Sequence, residues 1–163
     1  MTEHLLNAFS LGKQRQSTKG MAGFSRSRVY SEEAFRYLLE SESKRSERSG
    51  HLYQILIVYC VDAQGRVRPM EAYVAKTVMA ALSHSLRETD YIGWYREGLV
   101  AGGVLTVVSR DAATDLYNRL QLELAEFLRI ELGVGEAACL RIRMCHHQEL
   151  QGMELGEQTF AVR

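Results

Sequence analysis

The segment Leu52–Val61 reads Leu-Tyr-Gln-Ile-Leu-Ile-Val-Tyr-Cys-Val. It is almost unbroken in its apolarity and rich in β-branched and aromatic side chains. It is too short to cross a bilayer, which takes about 18 residues or more. A strand that is apolar on both faces has to be covered on both faces. The segment from His51 to Val61 is therefore expected to run through the middle of a sheet, and the rest of the chain must supply the layers around it.

The flanking patterns supply them. Ser31 is a plausible N-cap, Glu32 and Glu33 place negative charge in the first helical turn, and Phe35, Leu38 and Leu39 form an apolar stripe. This predicts a helix over Ser31–Glu47, stopped by Gly50. Asp62-Ala63-Gln64-Gly65 reads as a turn. Pro69 fits the start of a second helix, reaching about Arg87, with Val74, Val78, Ala81, Leu82 and Leu86 at helical spacing. Tyr91–Tyr95 and Leu99–Val108 read as two strands around a tight turn at Arg96-Glu97-Gly98. Gly102-Gly103 in the second of these implies a bulge or a close backbone approach. A long helix is expected over Asp111–Leu132, with Leu116, Leu120, Leu124, Phe127 and Leu128 on one face and Gly133 ending it. Ala138–His146 is a further strand, and Thr159–Val162 a candidate edge.

The order helix, strand, helix, strand, strand, helix, strand contains β-α-β-β-α-β. This is an α+β, ferredoxin-like core: an antiparallel central sheet with helices on one face. Residues 1–28 are rich in Ser, Gly, Lys, Arg and Gln with weak apolar periodicity, and read as a flexible N-terminal arm before one domain over 29–163.

Charge narrows the function classes. The chain carries 20 basic and 20 acidic residues, so no bulk attraction to nucleic acid or an anionic membrane is expected. No apolar run is long enough for a membrane span, and Met1–Ser10 lacks the pattern of a signal peptide. The three cysteines, Cys60, Cys139 and Cys145, show no paired spacing and read as reduced thiols in a cytoplasmic protein.

Leu86-Arg87-Glu88-Thr89-Asp90-Tyr91-Ile92-Gly93-Trp94-Tyr95 resembles the segment just before the signature hairpin of GGDEF (diguanylate cyclase) domains. That family reads Leu-Arg-x-x-Asp, a hydrophobic pair, Gly-Arg-Tyr or similar, then Gly-Gly-Asp/Glu-Glu-Phe. The resemblance covers about Ser31–His147 and implies a GGDEF-like, nucleotidyl-cyclase-like fold. The signature itself has degenerated: its five positions fall on Arg96, Glu97, Gly98, Leu99 and Val100. In the family the glycines admit a nucleotide and the carboxylates hold divalent metal against its phosphates. The family's other metal carboxylate matches Tyr59 or Val61, with Asp62 one step beyond, and its guanine-reading aspartate matches Lys76. The resemblance therefore implies no catalytic residue, no metal site, no cofactor and no enzyme activity.

What the resemblance retains is the inhibitory-site pattern, Arg87-x-x-Asp90, with Arg119 near the position of an assisting arginine. In relatives this pair binds cyclic di-GMP, and in degenerate ones it makes the domain a receptor. Arginine can fork onto guanine acceptors or a phosphate, and a carboxylate can accept from guanine N–H groups. The same residue types also serve as a surface ion pair or a helix-end cap. The expectation is a catalytically inactive cytoplasmic regulatory domain in bacterial signalling, a cyclic di-GMP receptor linked to exopolysaccharide control, with a protein partner or homodimer. One alternative is a nucleotide-independent interaction or dimerisation module that presents Arg96–Val100 as a dry contact. Another is a nucleotidyl cyclase with displaced metal ligands such as Asp62 and Glu97.

Three weaker patterns carry bland readings. Cys145-His146-His147 lie side by side on a strand, where neighbours point to opposite faces and cannot converge on a metal. His84 reads as a rim residue, and Trp94 with Tyr91 and Tyr95 as packing residues.

Overall fold

A computed structural model of the chain describes residues 29–106 and 113–155. Its elements run α1 (Glu32–Ser49), β1 (Gln54–Val61), β2 (Val67–Arg68), α2 (Ala72–Ser85), β3 (Tyr91–Arg96), β4 (Val100–Leu105), α3 (Ala113–Leu132), α4 (Val134–Ala137), β5 (Leu140–Cys145) and α5 (His147–Leu155). The expected arm over 1–28, the end of the strand expected to reach Val108, the start of the helix expected from Asp111, and the candidate edge Thr159–Val162 lie outside the described residues.

The five strands form one antiparallel sheet around β1, which pairs with β4 along Gln54–Tyr59, with β5 along Ile55–Cys60 and with β2 at Cys60 and Val61. β3 lies outside β4. The α+β class and the β-α-β-β-α-β order are those read from the sequence.

Alternation along β1 divides the core. Leu56, Val58 and Cys60 face α2 and α3, packing with Val74, Val78, Leu82, Leu120, Leu124 and Leu128. Ile55, Ile57, Tyr59 and Val61 face the opposite way, toward Phe35 and Leu39 of α1 and Leu150 of α5. The two helices of the β-α-β-β-α-β core, α2 and α3, share one face as expected, and α1 and α5, outside that order, lie on the other. The apolar run has no polar face to offer water, so α1 and α5 cover the side that α2 and α3 leave open.

α1 starts where the sequence places it: the Ser31 hydroxyl accepts the Ala34 N–H at 3.3 Å. It ends at Gly50, whose φ of 73° lets its N–H reach the Ser46 carbonyl. α2 begins later than Pro69. The Met70 N–H donates to the Gly98 carbonyl at 2.9 Å, holding Met70 against the β3–β4 turn, and the helix opens at Ala72.

Gly102 and Gly103 are a close approach. A Cβ on Gly102 would sit 3.0 Å from the Phe35 ring, and one on Gly103 would sit 2.5 Å from Leu86 Cδ1. Their neighbouring positions open opposite faces of β4, so α1 and the end of α2 both settle close to the sheet. The register irregularity of this pair lies on the partner strand, between Trp94 and Arg96.

Cys60 and Cys139 are joined as a disulfide across 79 residues, which corrects the expectation of three reduced thiols. Antiparallel pairing of β1 with β5 brings Cys139 beside Cys60, a proximity that spacing along the chain does not show. Cys145 is free and buried.

Candidate functional site

Two loops at opposite ends of β3 carry the residues singled out in the sequence: the α2–β3 junction, with Arg87 and Asp90, and the β3–β4 turn, with Arg96–Val100.

At the junction, α2 ends at Ser85 and the chain turns through 86–90 into β3. Asp90 organises this turn. Its Oδ2 accepts the Arg87 backbone N–H at 2.9 Å, and its Oδ1 accepts the Thr106 backbone N–H at 3.2 Å. The Thr106 hydroxyl donates to the Thr89 carbonyl at 3.4 Å. The Asp90 side chain is 1% exposed, whereas that of Arg87 is 55% exposed, with Nη2 3.5 Å from Asp90 Oδ1. One carboxylate thus ties the end of α2 to the end of β4 while the guanidinium stands at the surface. Arg119 is exposed on α3, the helix that packs beside α2 through contacts such as His84 with Phe127, whose rings lie 5.2 Å apart. The structure brings Arg87 and Asp90 together. Thr106 is a member of this cluster that sequence reasoning missed, because it lies sixteen residues from Asp90 with no local pattern linking the two.

At the signature position the turn closes through Leu99 N–H to the Arg96 carbonyl at 2.9 Å, with Gly98 at φ +75°. Two backbone groups of the turn are engaged by other elements. The Glu97 N–H donates to Glu32 Oε1 at 2.8 Å, and the Gly98 carbonyl accepts from Met70. Beside them the Arg36 guanidinium lies 4.2 Å from the centre of the Tyr95 ring and donates through Nε to the Tyr95 carbonyl at 3.0 Å. Val100 is fully buried and Leu99 packs against the α1-side core, so the apolar replacements serve the interior.

The carboxylates weighed as displaced metal ligands are placed differently. Asp62 closes the β1–β2 turn: Oδ1 accepts the N–H groups of Gln64 and Arg66 at 2.9 Å, and Oδ2 accepts Arg66 Nε at 3.0 Å. The backbone hydrogen bond from Arg66, aided by its side chain, holds the Asp62 carboxyl below the usual range. Glu97 is exposed at the turn, Tyr59 and Val61 point into the core, and Lys76 is exposed on α2. No group of three or more metal-binding side chains forms among the described residues. No helix among them is long and apolar enough to cross a membrane.

The chain is thus an α+β domain whose antiparallel sheet is centred on β1 and whose β3 and β4 are joined by a tight turn. Comparison with solved structures narrows this. The chain superimposes on a DGC protein from Thermotoga maritima with a TM-score of 0.55 at 16% identity, covering 85% of this chain and 98% of that one. It superimposes on the diguanylate cyclase SiaD of Pseudomonas aeruginosa, solved with its activator SiaC, with a TM-score of 0.52 at 15% identity. That match covers 98% of this chain and 62% of SiaD. PelD of Pseudomonas aeruginosa PAO1 matches with a TM-score of 0.49 at 17% identity over 95% of this chain and 52% of that one. The fold is GGDEF-like. No protein-family model matches the sequence, and no curated protein matches it.

Proposed function

We propose that the domain is a regulatory receptor for cyclic di-GMP that does not cyclise nucleotides and works in the cytoplasm, in control of exopolysaccharide production. The observation that carries the reading is the α2–β3 junction, where Asp90 fixes the backbone of Arg87 and leaves its guanidinium at the surface. A planar guanidinium on a fixed backbone loses little freedom when it forks onto guanine acceptors or a bridging phosphate. Arg119 supplies a second exposed guanidinium on the adjacent helix. Asp90 is a positioning residue in this account. Both its oxygens accept from backbone N–H groups, so ligand contact falls on the two arginines.

Absence of cyclase activity is supported by the β3–β4 turn. Glu32 and Met70 occupy the backbone groups through which a nucleotide would be cradled, and the Asp62 carboxylate is engaged within its own turn. Calorimetric titration of cyclic di-GMP into the wild-type domain and Arg87→Ala tests the receptor. Pyrophosphate release from GTP or ATP with Mg²⁺ or Mn²⁺ tests the silent hairpin: turnover that disappears in Asp62→Ala would sink it.

A second reading, a homodimer, is favoured by Leu122, Ile130 and Val134, which are 71%, 64% and 69% exposed along α3 and α4. Scattered apolar residues are ordinary on surfaces, but three large ones exposed within thirteen residues of α3 and α4 are area that a second copy can cover. Light scattering of wild type and Ile130→Glu separates a dimer from a monomer.

A further inference from the structure

We propose that Cys60 and Cys139 form a thiol–disulfide exchange site for small disulfides of the glutathione class, with Cys139 as the entry sulfur and Cys60 as the resolving sulfur. Their Cα atoms are 5.3 Å apart, inside the range that a disulfide spans without backbone movement. The two sulfurs differ in access and in electrostatics. Cys60 is 1% exposed at the end of β1. Cys139 is half-buried just before β5, and Arg68 Nη2 lies 3.5 Å from its sulfur. A guanidinium at that distance stabilises a thiolate, the form that attacks disulfides. The Glu136 carbonyl, 3.2 Å from the same sulfur, accepts a hydrogen bond from the thiol when the pair is reduced and Cys139 is protonated. Cys145 supplies an internal contrast, since burial pushes its thiol up to about 12 and keeps it out of exchange at neutral pH.

The exchange balances with one glutathione disulfide. The Cys139 thiolate attacks one of its sulfurs, forming a mixed disulfide and releasing a glutathione thiolate. The Cys60 sulfur, deprotonated in the step, attacks the Cys139 sulfur and releases the second glutathione. The protein dithiol loses two electrons and two protons, and the small disulfide becomes two thiols. The Val61 N–H donates to the Cys139 carbonyl at 2.9 Å. That hydrogen bond holds the two segments together without the covalent bond, so the disulfide can open and reclose on one fold. Its state bears on the β3–β4 turn through β2: Arg68 pairs with Cys60, and Met70 binds the Gly98 carbonyl.

The test places the reduced full chain in glutathione buffers of graded disulfide-to-thiol ratio at neutral pH, followed by alkylation and peptide mass spectrometry. The expected result is a Cys60–Cys139 disulfide that forms and reopens with the ratio, while Cys145 is alkylated only after unfolding. Cys60→Ala should accumulate glutathione on Cys139. Arg68→Gln should slow exchange by about tenfold at neutral pH, with the gap closing at alkaline pH. A pair that stays closed in the folded chain under excess glutathione would overturn the proposal and leave a purely structural disulfide. Unchanged exchange in Arg68→Gln, a variant that keeps both cysteines, would overturn the assignment of Cys139 as the entry sulfur. Glutathione found on Cys145 would contradict it equally.

Discussion

The Asp90 carboxylate accepts the Arg87 backbone N–H at 2.9 Å, yet its side chain is sealed in at 1% exposure while that of Arg87 is 55% exposed. A pair read from sequence as one motif therefore divides into a structural member and a surface member, and the two can be separated by mutation.

Asp90→Ala leaves the N–H groups of Arg87 and Thr106 without their acceptor. Buried donors stripped of partners cost about 1–3 kcal/mol each, so the expected loss is about 3 kcal/mol by urea denaturation. Arg87→Ala removes a mostly exposed charge and should cost below about 1 kcal/mol. A loss in Arg87→Ala as large as in Asp90→Ala would contradict this division.

The close approaches predict an order among glycine substitutions. A Cβ on Gly93 would meet the Tyr30 carbonyl oxygen at 2.6 Å and Phe35 Cδ1 at 2.9 Å. The oxygen is main chain, and the Tyr30 backbone is itself bonded to Ile92 and Trp94, so it cannot step aside. On Gly103 the obstacle is the tip of Leu86, which can turn. Gly93→Ala should cost about 3 kcal/mol and Gly103→Ala about 1 kcal/mol, measured as shifts in denaturation midpoint. The reverse order would be evidence against the seating of α1 on the sheet.

Cys145 gives a pH signature. Burial, with a smaller contribution from Glu149, raises its thiol from 9.0 to about 12. A raised folded value means stability that is complete below pH 9 and is lost as pH rises from there toward 12, because only the unfolded chain ionises readily. The slope approaches about 1.4 kcal/mol per pH unit. Cys145→Val should flatten this alkaline fall. A variant profile parallel to wild type between pH 9 and 11 would assign the fall to another group.

Asp62 acts at the other end of the scale. Its folded value is lowered, first by the backbone hydrogen bond from Arg66. Its contribution is therefore present above about pH 4 and disappears as pH falls through the folded value. Asp62→Asn keeps an oxygen for the turn N–H groups while removing the titration. It should make stability less steep below pH 4, as read by thermal melts across acid buffers.

Much of the fold was legible because its signals are local. The apolar run from Leu52 marks the central strand, the Ser31 cap and Gly50 stop bound α1, and Gly102-Gly103 marks a bulge or close backbone approach, of which the structure shows the approach. The elements missed are those with short or weak patterns: β2 is two residues long, and α5 lacks a strong apolar stripe. Pro69 misplaced the start of α2 because a tertiary hydrogen bond from Met70 to Gly98 outweighs the local helix-start preference. At the candidate site the Arg87–Asp90 spacing could be read directly. Thr106 as the second donor to Asp90, Glu32 as the acceptor for Glu97, and Cys139 as the partner of Cys60 could not, since each pairing is made by strand register or packing between distant segments.

The central claim is met most directly by calorimetric titration of cyclic di-GMP into wild type, Arg87→Ala and Arg119→Ala, each first shown to unfold at the wild-type midpoint. The account predicts micromolar binding to wild type that is lost in Arg87→Ala and weakened in Arg119→Ala. Wild-type protein that takes up no ligand at high concentration, or Arg87→Ala that binds as wild type does, would contradict it and leave Arg87 and Asp90 as a structural junction alone.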